Sequence, residues 1–354
     1  MTNRQGGLPI SPTASRSDTP LGVDGSMNTQ FMTSTRHYHF RQIRPGIFAA
    51  LARPEGLAAS NCGLADLGDF TVVIDTSLSP QAAIDVRDMS IQLTGRDVDV
   101  VFLTHHHFDH VGGAQAFGPA TAILATAETN TLLAQSGQES LLHSRDASLH
   151  LLANRQESLK NEKDAQKRAE MARLVQAAEE RLSSAVSTRL RMPDVTSQGP
   201  VCLHGTKRLV EFTPLPRAHC PGNALVHFPD DGVLFAGDLL FARRHPFLRD
   251  GDPYGWLAVL DQIEALRPEV VVPGHGGVSS LEEIRMLREY LQWLMGAVQR
   301  FVQEGKPAEA LSEIELPEPF AWWEPKDFLL GSLNFLYDRF TESGYVQSPM
   351  FDLD

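Results

Sequence analysis

The sequence has few cysteines, and they stand far apart: Cys62, Cys202 and Cys220. No pair has the CxxC spacing of a metal-binding knuckle, so we expect neither a disulfide framework nor a cysteine-ligated zinc site. The sequence also lacks any run of about 18 apolar residues, the length that a membrane-spanning helix needs. We therefore expect no membrane as a partner.

Positive charge is also in short supply. The chain carries 31 Lys and Arg against 44 Asp and Glu, which gives a formal net charge of −13 over 354 residues. Proteins that bind nucleic acid need clustered Lys and Arg to contact phosphates, so we expect no nucleic-acid partner. The hydrophobic fraction of 42% is that of an ordinary globular protein.

The first 36 residues have little apolar character and are rich in Ser, Thr, Pro and Gly. Such a segment cannot bury enough apolar surface to offset the entropy of ordering, so residues 1–36 are predicted to be a disordered tail. The segment lacks the apolar stretch of a secretory signal, which favours a cytoplasmic location. Met27 and Met32 are alternative start sites, and residues 37–354 are predicted to form one domain.

This domain alternates short apolar runs with helical patterns, which is typical of an α/β fold. Runs such as FTVVIDT and DVDVVFLTH suit strands that are buried on both faces. Residues from about 139 to 195 are rich in helix formers and are predicted to be a helical insertion. A solvated excursion is favoured over a lid or a dimer contact for this insertion. An aromatic helical segment is predicted at about 305–354.

Histidine is the abundant residue that carries chemistry, with 13 copies, four of them within residues 105–110. The run THHHFDH follows an apolar strand directly, at the end of the strand where α/β proteins place their sites. His105 and His107 alternate, so an extended loop can aim both at one point. Asp109 and His110 can then turn toward a second point. This geometry suits a site with two metal ions about 3.5–4 Å apart.

Three later residues fit the same scheme, because each follows a strand or stands in a tight turn. His219 lies in the turn PRAHCPG, Asp238 ends the apolar run VLFAGD, and His275 lies between glycines in PGHG. Imidazole and carboxylate are the ligands that zinc and similar divalent metals prefer.

Taken in order, these motifs resemble those of the metallo-β-lactamase-fold superfamily, in its glyoxalase-II-like and lactonase-like branch. The resemblance covers about residues 38–300 and implies a four-layer αβ/βα sandwich. Asp75 matches the strand-ending aspartate of the family and is interpreted as a positioning carboxylate rather than a metal ligand. The resemblance further implies two metal ions, the first held by His105, His107 and His219, the second by Asp109, His110 and His275, and both by Asp238.

The resemblance implies a hydrolase that uses two Zn²⁺ ions, with Mn²⁺ or Fe²⁺ as alternatives. A hydroxide shared by the metals would attack an electrophilic carbon, with Asp109 and Asp238 as the catalytic carboxylates that fix it. A small-molecule ester, lactone or thioester is the expected substrate. Arg243 or Arg244 could bind a substrate carboxylate, although a surface ion pair explains them equally well.

Other activities remain open at this point. A sulfur dioxygenase of the same fold would bind a single iron, and β-lactamase or hydrolytic dehalogenase activity is a further alternative. The bridging Asp238 lowers the expectation of a β-lactamase, because Cys or Ser usually stands there in those enzymes. A homodimer through the helical insertion is also left open.

Overall fold

The computed structural model describes residues 31–342. Most of the predicted tail, and residues 343–354 of the predicted C-terminal segment, lie outside this range. The end of the predicted tail differs from the prediction, since Phe31–Ser34 forms a strand. This strand pairs with the next one, Thr33 opposite Phe40, because the edge of the sheet offers free backbone groups there.

The first sheet has eight strands whose spatial order equals their order in the chain. Strands one to five pair with one another in antiparallel fashion, and strands five to eight pair in parallel, so the fifth strand is the point of change. The strands are β1 (Phe31–Ser34), β2 (Tyr38–Arg44), β3 (Ile47–Ala52), β4 (Cys62–Asp66), β5 (Thr71–Ile74), β6 (Val100–Phe102), β7 (Ala122–Thr126) and β8 (Val195–Ser197).

The second sheet has five strands in the order β13-β12-β11-β10-β9. It packs face to face on the first sheet, and the rings of Phe102 and Phe212 stack across this interface with centroids 5.5 Å apart. Its strands are β9 (Val201–His204), β10 (Leu209–Pro214), β11 (Ala224–Phe228), β12 (Val233–Phe241) and β13 (Val270–His275).

Helices cover the outer face of each sheet, which confirms the predicted four-layer sandwich. The first helix packs on the first sheet, and the last three pack on the second sheet through two separate apolar clusters. The helices are α1 (Pro80–Thr94), α2 (Phe108–Val111), α3 (Ala127–Asn161), α4 (Ala165–Ser187), α5 (Pro253–Leu266), α6 (Leu281–Gln303) and α7 (Lys326–Glu342). Within residues 31–342, no helix is long and apolar enough to cross a membrane.

The predicted helical insertion corresponds to a hairpin of α3 and α4. Helix α3 begins at Ala127, twelve residues before the predicted boundary, because the Thr126 hydroxyl at the end of β7 caps it by accepting a hydrogen bond from Thr129 N. The insertion is therefore a continuation of the helix that follows β7, and the chain returns through α4 to β8, which pairs with β7.

Gly63 in β4 sets how closely the two sheets approach. A Cβ atom at this position would lie 2.3 Å from Cε1 of Phe235 in β12. Phe235 itself is only 2% exposed and belongs to the core between the sheets, so its ring has little room to move away.

We expect the Gly63→Ala variant to be less stable by about 1–3 kcal/mol, the usual cost of overpacking a filled core. The free energy of unfolding from denaturant titration measures this effect. Gly118→Ala is the matched control, because its Cβ would meet nothing within 4 Å. Equal stability of the two variants would contradict this account of the sheet interface.

Candidate metal centre

The first candidate ligand group consists of four side chains from two loops and one strand: His105, His107, His219 and Asp238. The Nδ1 atom of His107 lies 3.1 Å from Nε2 of His105 and 2.8 Å from Nε2 of His219. Three imidazole nitrogens thus converge on one point at the carboxyl ends of β6 and β10. His219 joins the two others from 112 positions beyond His107 in the chain.

The second ligand group consists of Asp109, His110 and His275. Nε2 of His275 lies 3.2 Å from Oδ2 of Asp109, and Nε2 of His110 lies 3.7 Å from the same oxygen. Asp109 and His110 sit in the short helix α2, directly after the loop that carries the first group. The two groups are therefore neighbours.

Asp238 lies between the two groups and turns one carboxylate oxygen toward each. Its Oδ2 atom is 3.4 Å from Nε2 of His219, in the first group. Its Oδ1 atom is 3.1 Å from Nε2 of His110 and 3.4 Å from Nε2 of His275, in the second group. The structure thus brings together all seven side chains that the sequence analysis singled out as metal ligands.

These residues fit divalent metal ions. His110 Nε2 and Asp238 Oδ1 are buried and, although 3.1 Å apart, form no hydrogen bond with each other or with another group, an arrangement that is costly unless a further group satisfies them. The space beside Asp238 is kept open by Gly274, where a Cβ atom would lie 2.0 Å from Oδ1. Histidine nitrogens with carboxylate oxygens form the donor set that suits zinc, manganese or iron.

The electrostatics differ between the two groups. In the first group, burial and then the neighbouring His107 lower the pKa of His219 to about 3, so its ring is neutral and ready to bind a cation. In the second group, burial opposes the charged form of His275, but Asp238 and Asp109 outweigh it and raise the pKa to about 9. A metal ion in this group would replace a proton.

Asp75 fixes the loop that carries the histidines. Its Oδ1 accepts a hydrogen bond from Thr104 N, and its Oδ2 accepts one from Thr104 Oγ1, both at 2.8 Å. The same Oδ2 lies 2.8 Å from Nδ1 of His110 and leaves Nε2 of that ring facing Asp238. These contacts support the interpretation of Asp75 as a positioning carboxylate.

A cavity of about 720 Å³ opens over the metal centre. Helix α3 forms one wall of this cavity. The insertion is therefore not only the solvated excursion that the sequence favoured. It reaches the site because α3 follows directly after β7. Among the described residues, no Lys or Arg lines this cavity. The lining residues are Leu78, His107, Phe108, Asp109, Ser136, Glu139, Ser140, Leu142, His143, Ser144, Asp146, Asp238, Phe241, Phe247, Asp250, His275 and Phe328.

The two arginines that the sequence suggested for substrate binding lie elsewhere. Arg243 and Arg244 are exposed and do not line the cavity. Arg243 forms an ion pair with Glu283 at 3.3 Å, which is the surface alternative, and the backbone of Arg244 bridges to Glu324. The strand β12 carries Asp238 into the site, but the chain has turned away by residue 243.

Sequence reasoning missed Asp250, whose Oδ2 lies 2.9 Å from Nε2 of His107. The residue belongs to no motif, and nothing in the run FLRDGD distinguishes it from a surface aspartate. Only the fold brings it to His107, across 143 positions of sequence.

Two stacked sheets between helices, with clustered His and Asp side chains where the two sheets meet, define an α/β sandwich with a candidate metal centre. The family model of the metallo-beta-lactamase superfamily matches residues 56–275. The chain belongs to this superfamily.

Comparison with individual proteins adds two kinds of relative. A linear primary-alkylsulfatase from Pseudomonas sp. (strain ATCC 19151) is 23% identical over 309 residues, which are 80% of this chain and 56% of the relative. The structure of a sec-alkylsulfatase from Pseudomonas sp. is similar with a TM-score of 0.64 and 17% identity, over 90% of this chain and 52% of the other. The chain thus spans about half the length of these relatives.

A metallo-beta-lactamase from Pontibacter korlensis is similar with a TM-score of 0.53 and 16% identity, over 72% of this chain and 99% of the other. At such identity the likeness concerns the fold.

We expect Asp75→Asn to weaken metal binding by about 10–100-fold, the usual effect of losing a carboxylate that orients a ligand histidine. The amide keeps an acceptor for Thr104 N but loses the charge beside His110. Metal content after dialysis against graded chelator measures the change. Asp88→Asn, an exposed carboxylate on α1, is the control. Metal binding that is equal in both variants would contradict the role given to Asp75.

Proposed function

We propose that the protein is a dinuclear zinc hydrolase that cleaves an ester, lactone or thioester in a small molecule with an apolar part. The observation that carries this proposal is the position of Asp238, with one oxygen toward each ligand group. A single carboxylate in this place is suited to hold two cations side by side. Both groups are complete, which favours hydrolysis over the one-iron sulfur dioxygenase alternative.

When bound, two divalent ions would lower the pKa of a shared water to about 7 and polarise the bond to be cleaved. The side chains of the protein have distinct tasks around that chemistry. Asp238, 5% exposed, is fixed in the buried floor, whereas Asp109 is 28% exposed and faces the cavity. His110 and His275 hold the pKa of Asp109 below its usual range, although burial opposes this effect. Asp109 is therefore ionised and placed to orient the attacking water.

The cavity lining favours an uncharged substrate with an apolar portion. Phe247 and Phe328 form a face-to-edge pair with centroids 5.7 Å apart, and Leu142 of α3 also lines the cavity. The carboxylates of Glu139 and Asp146 line the same cavity from α3. Negative charge at this wall raises the cost of binding an anion.

Sulfate-ester hydrolysis is the second candidate, and the similarity to two alkylsulfatases favours it. An alkyl sulfate carries the apolar chain that the cavity suits, together with a permanent negative charge. The two candidates therefore differ in the charge of the group at the metal centre, and that difference can be tested with matched substrates.

We expect p-nitrophenyl butyrate to be hydrolysed with a kcat/KM at least about 100-fold above that of p-nitrophenyl sulfate, because no cationic side chain of the described lining receives the sulfate. Both substrates release the same phenolate, which is followed by absorbance, and zinc per chain is measured on the same sample. Faster cleavage of the sulfate would favour the second candidate. One iron with oxygen uptake would favour the dioxygenase.

Asp238→Ala should lower kcat on the ester by at least about 100–1,000-fold, as loss of one group at the reacting centre does. Asp230→Ala, an exposed aspartate in the turn before β12, is its control. Full activity and full metal content in Asp238→Ala would remove the basis of the proposal.

Leu142→Ser should raise KM for apolar esters by about fivefold with little change in kcat, since an apolar contact of about 1 kcal/mol is lost. Leu149→Ser is a close control, because Leu149 is on the same helix and is 53% exposed against 49% for Leu142, but it does not line the cavity. An equal KM in both variants would show that the substrate does not contact α3.

A further inference from the structure

One loop, residues 242–252 between β12 and α5, contacts two of the three histidines in the first ligand group. The carbonyl oxygen of Phe247 lies 3.0 Å from Nδ1 of His219. Oδ2 of Asp250 lies 2.9 Å from Nε2 of His107. In both rings the loop engages the nitrogen opposite to the one that faces the group.

These contacts decide which ring nitrogen is free to bind a cation. A neutral imidazole carries one N–H, and an acceptor at one nitrogen keeps the hydrogen there and leaves the lone pair on the other. For His107 the acceptor is Asp250, and the nitrogen left free is Nδ1, which lies 2.8 Å from Nε2 of His219. A carboxylate acceptor also makes the ring a stronger ligand than a carbonyl would.

The loop is tied to the turn that carries His219, so Asp250 is held in place although its side chain is 47% exposed. The guanidinium of Arg217 donates from Nε and Nη2 to the carbonyl oxygen of Asp250, at 3.2 and 2.9 Å. The backbone N of Asp252 donates to the carbonyl oxygen of Ala218 at 2.7 Å. The loop and the His219 turn therefore form one unit.

We propose that Asp250 is a positioning residue that holds His107 with Nδ1 toward the first ligand group and thereby sets the affinity of that group for its metal ion. The proposal rests on the proposed function only in requiring a metal at this group. Asp250 acts through His107, not on the substrate bond. The alternative is a separate cation site formed by His106, His107 and Asp250. The distance of 2.9 Å between Nε2 of His107 and Oδ2 of Asp250 is that of a hydrogen bond, which favours the positioning role.

The test compares Asp250→Ala and Asp250→Asn with the matched control Asp230→Asn. Zinc affinity is measured by competition with a chromophoric chelator, and zinc per chain by elemental analysis. Asp250→Ala should weaken one of the two zinc sites by about 10–100-fold. Asp250→Asn should lie between Ala and the unchanged protein, because its amide oxygen still accepts the hydrogen bond from Nε2 but carries no charge. In the cobalt-substituted protein the visible spectrum should shift for one site.

Graded weakening of one site, with the metal-free variants as thermally stable as the metal-free parent, supports the proposal. Unchanged affinity of both sites in the two Asp250 variants would overturn it. If the parent protein binds three zinc ions and the Asp250 variants lose the third, Asp250 would be a metal ligand, and this result would also overturn the proposal. A parent that binds two zinc ions but hydrolyses no ester would refute the proposed function and leave this measurement valid.

Discussion

The burial of the Asp238 carboxylate is the constraint on which the site depends. An ionised carboxylate that is only 5% exposed is strongly unfavourable unless opposite charges or hydrogen-bond donors surround it. Here His110 and His275 lie close to one oxygen and His219 to the other. These partners come from loops and strand ends of both sheets. The carboxylate of Asp238 is therefore compensated only when the two sheets pack together.

A second set of contacts fixes the position of the loops that meet at the site. Asn61, after β3, donates from Nδ2 to the carbonyl oxygens of Pro273 and Gly276, on either side of His275. Its backbone N donates to the carbonyl oxygen of Gly274. The loop before β4 in the first sheet thus binds the end of β13 in the second. Together with Asp75 under the histidine loop, it fixes the backbone before any metal arrives.

Most of the site could be predicted from the sequence because its ligands lie in short motifs with fixed spacing. The run from His105 to His110 places four candidate ligands on a single loop and helix start, and Gly-His marks the end of β13. The prediction that Gly-Asp ends a strand is wrong, because Asp238 lies inside β12, which continues to Phe241. The sandwich could be predicted because its apolar runs have the length of buried strands. Asp250 could not be predicted, since a lone aspartate in a loop has no periodic or spacing signal.

The start of the helical insertion and the placement of Arg243 differ from the predictions for related reasons. Composition changes at about residue 139, but the helix is set by the cap at Thr126, so the wall of the cavity begins inside a segment that reads as ordinary α/β sequence. Arg243 is only five positions after Asp238 in the chain. Strand β12 places Asp238 in the site, but the turn after the strand places Arg243 on the surface, where it pairs with Glu283. Nearness in sequence predicts nearness in space within the histidine loop, but not across such a turn.

Helix α3 also has a consequence for how this protein can change over evolution. The chain that builds the cavity wall, 127–161, is separate from the loops that hold the metal ligands, and many of the wall side chains are exposed to solvent. Surface substitutions are usually close to neutral for stability. Mutations on this helix can therefore alter which molecules fit the cavity while the two ligand groups stay intact, so new cavity shapes are accessible by single substitutions.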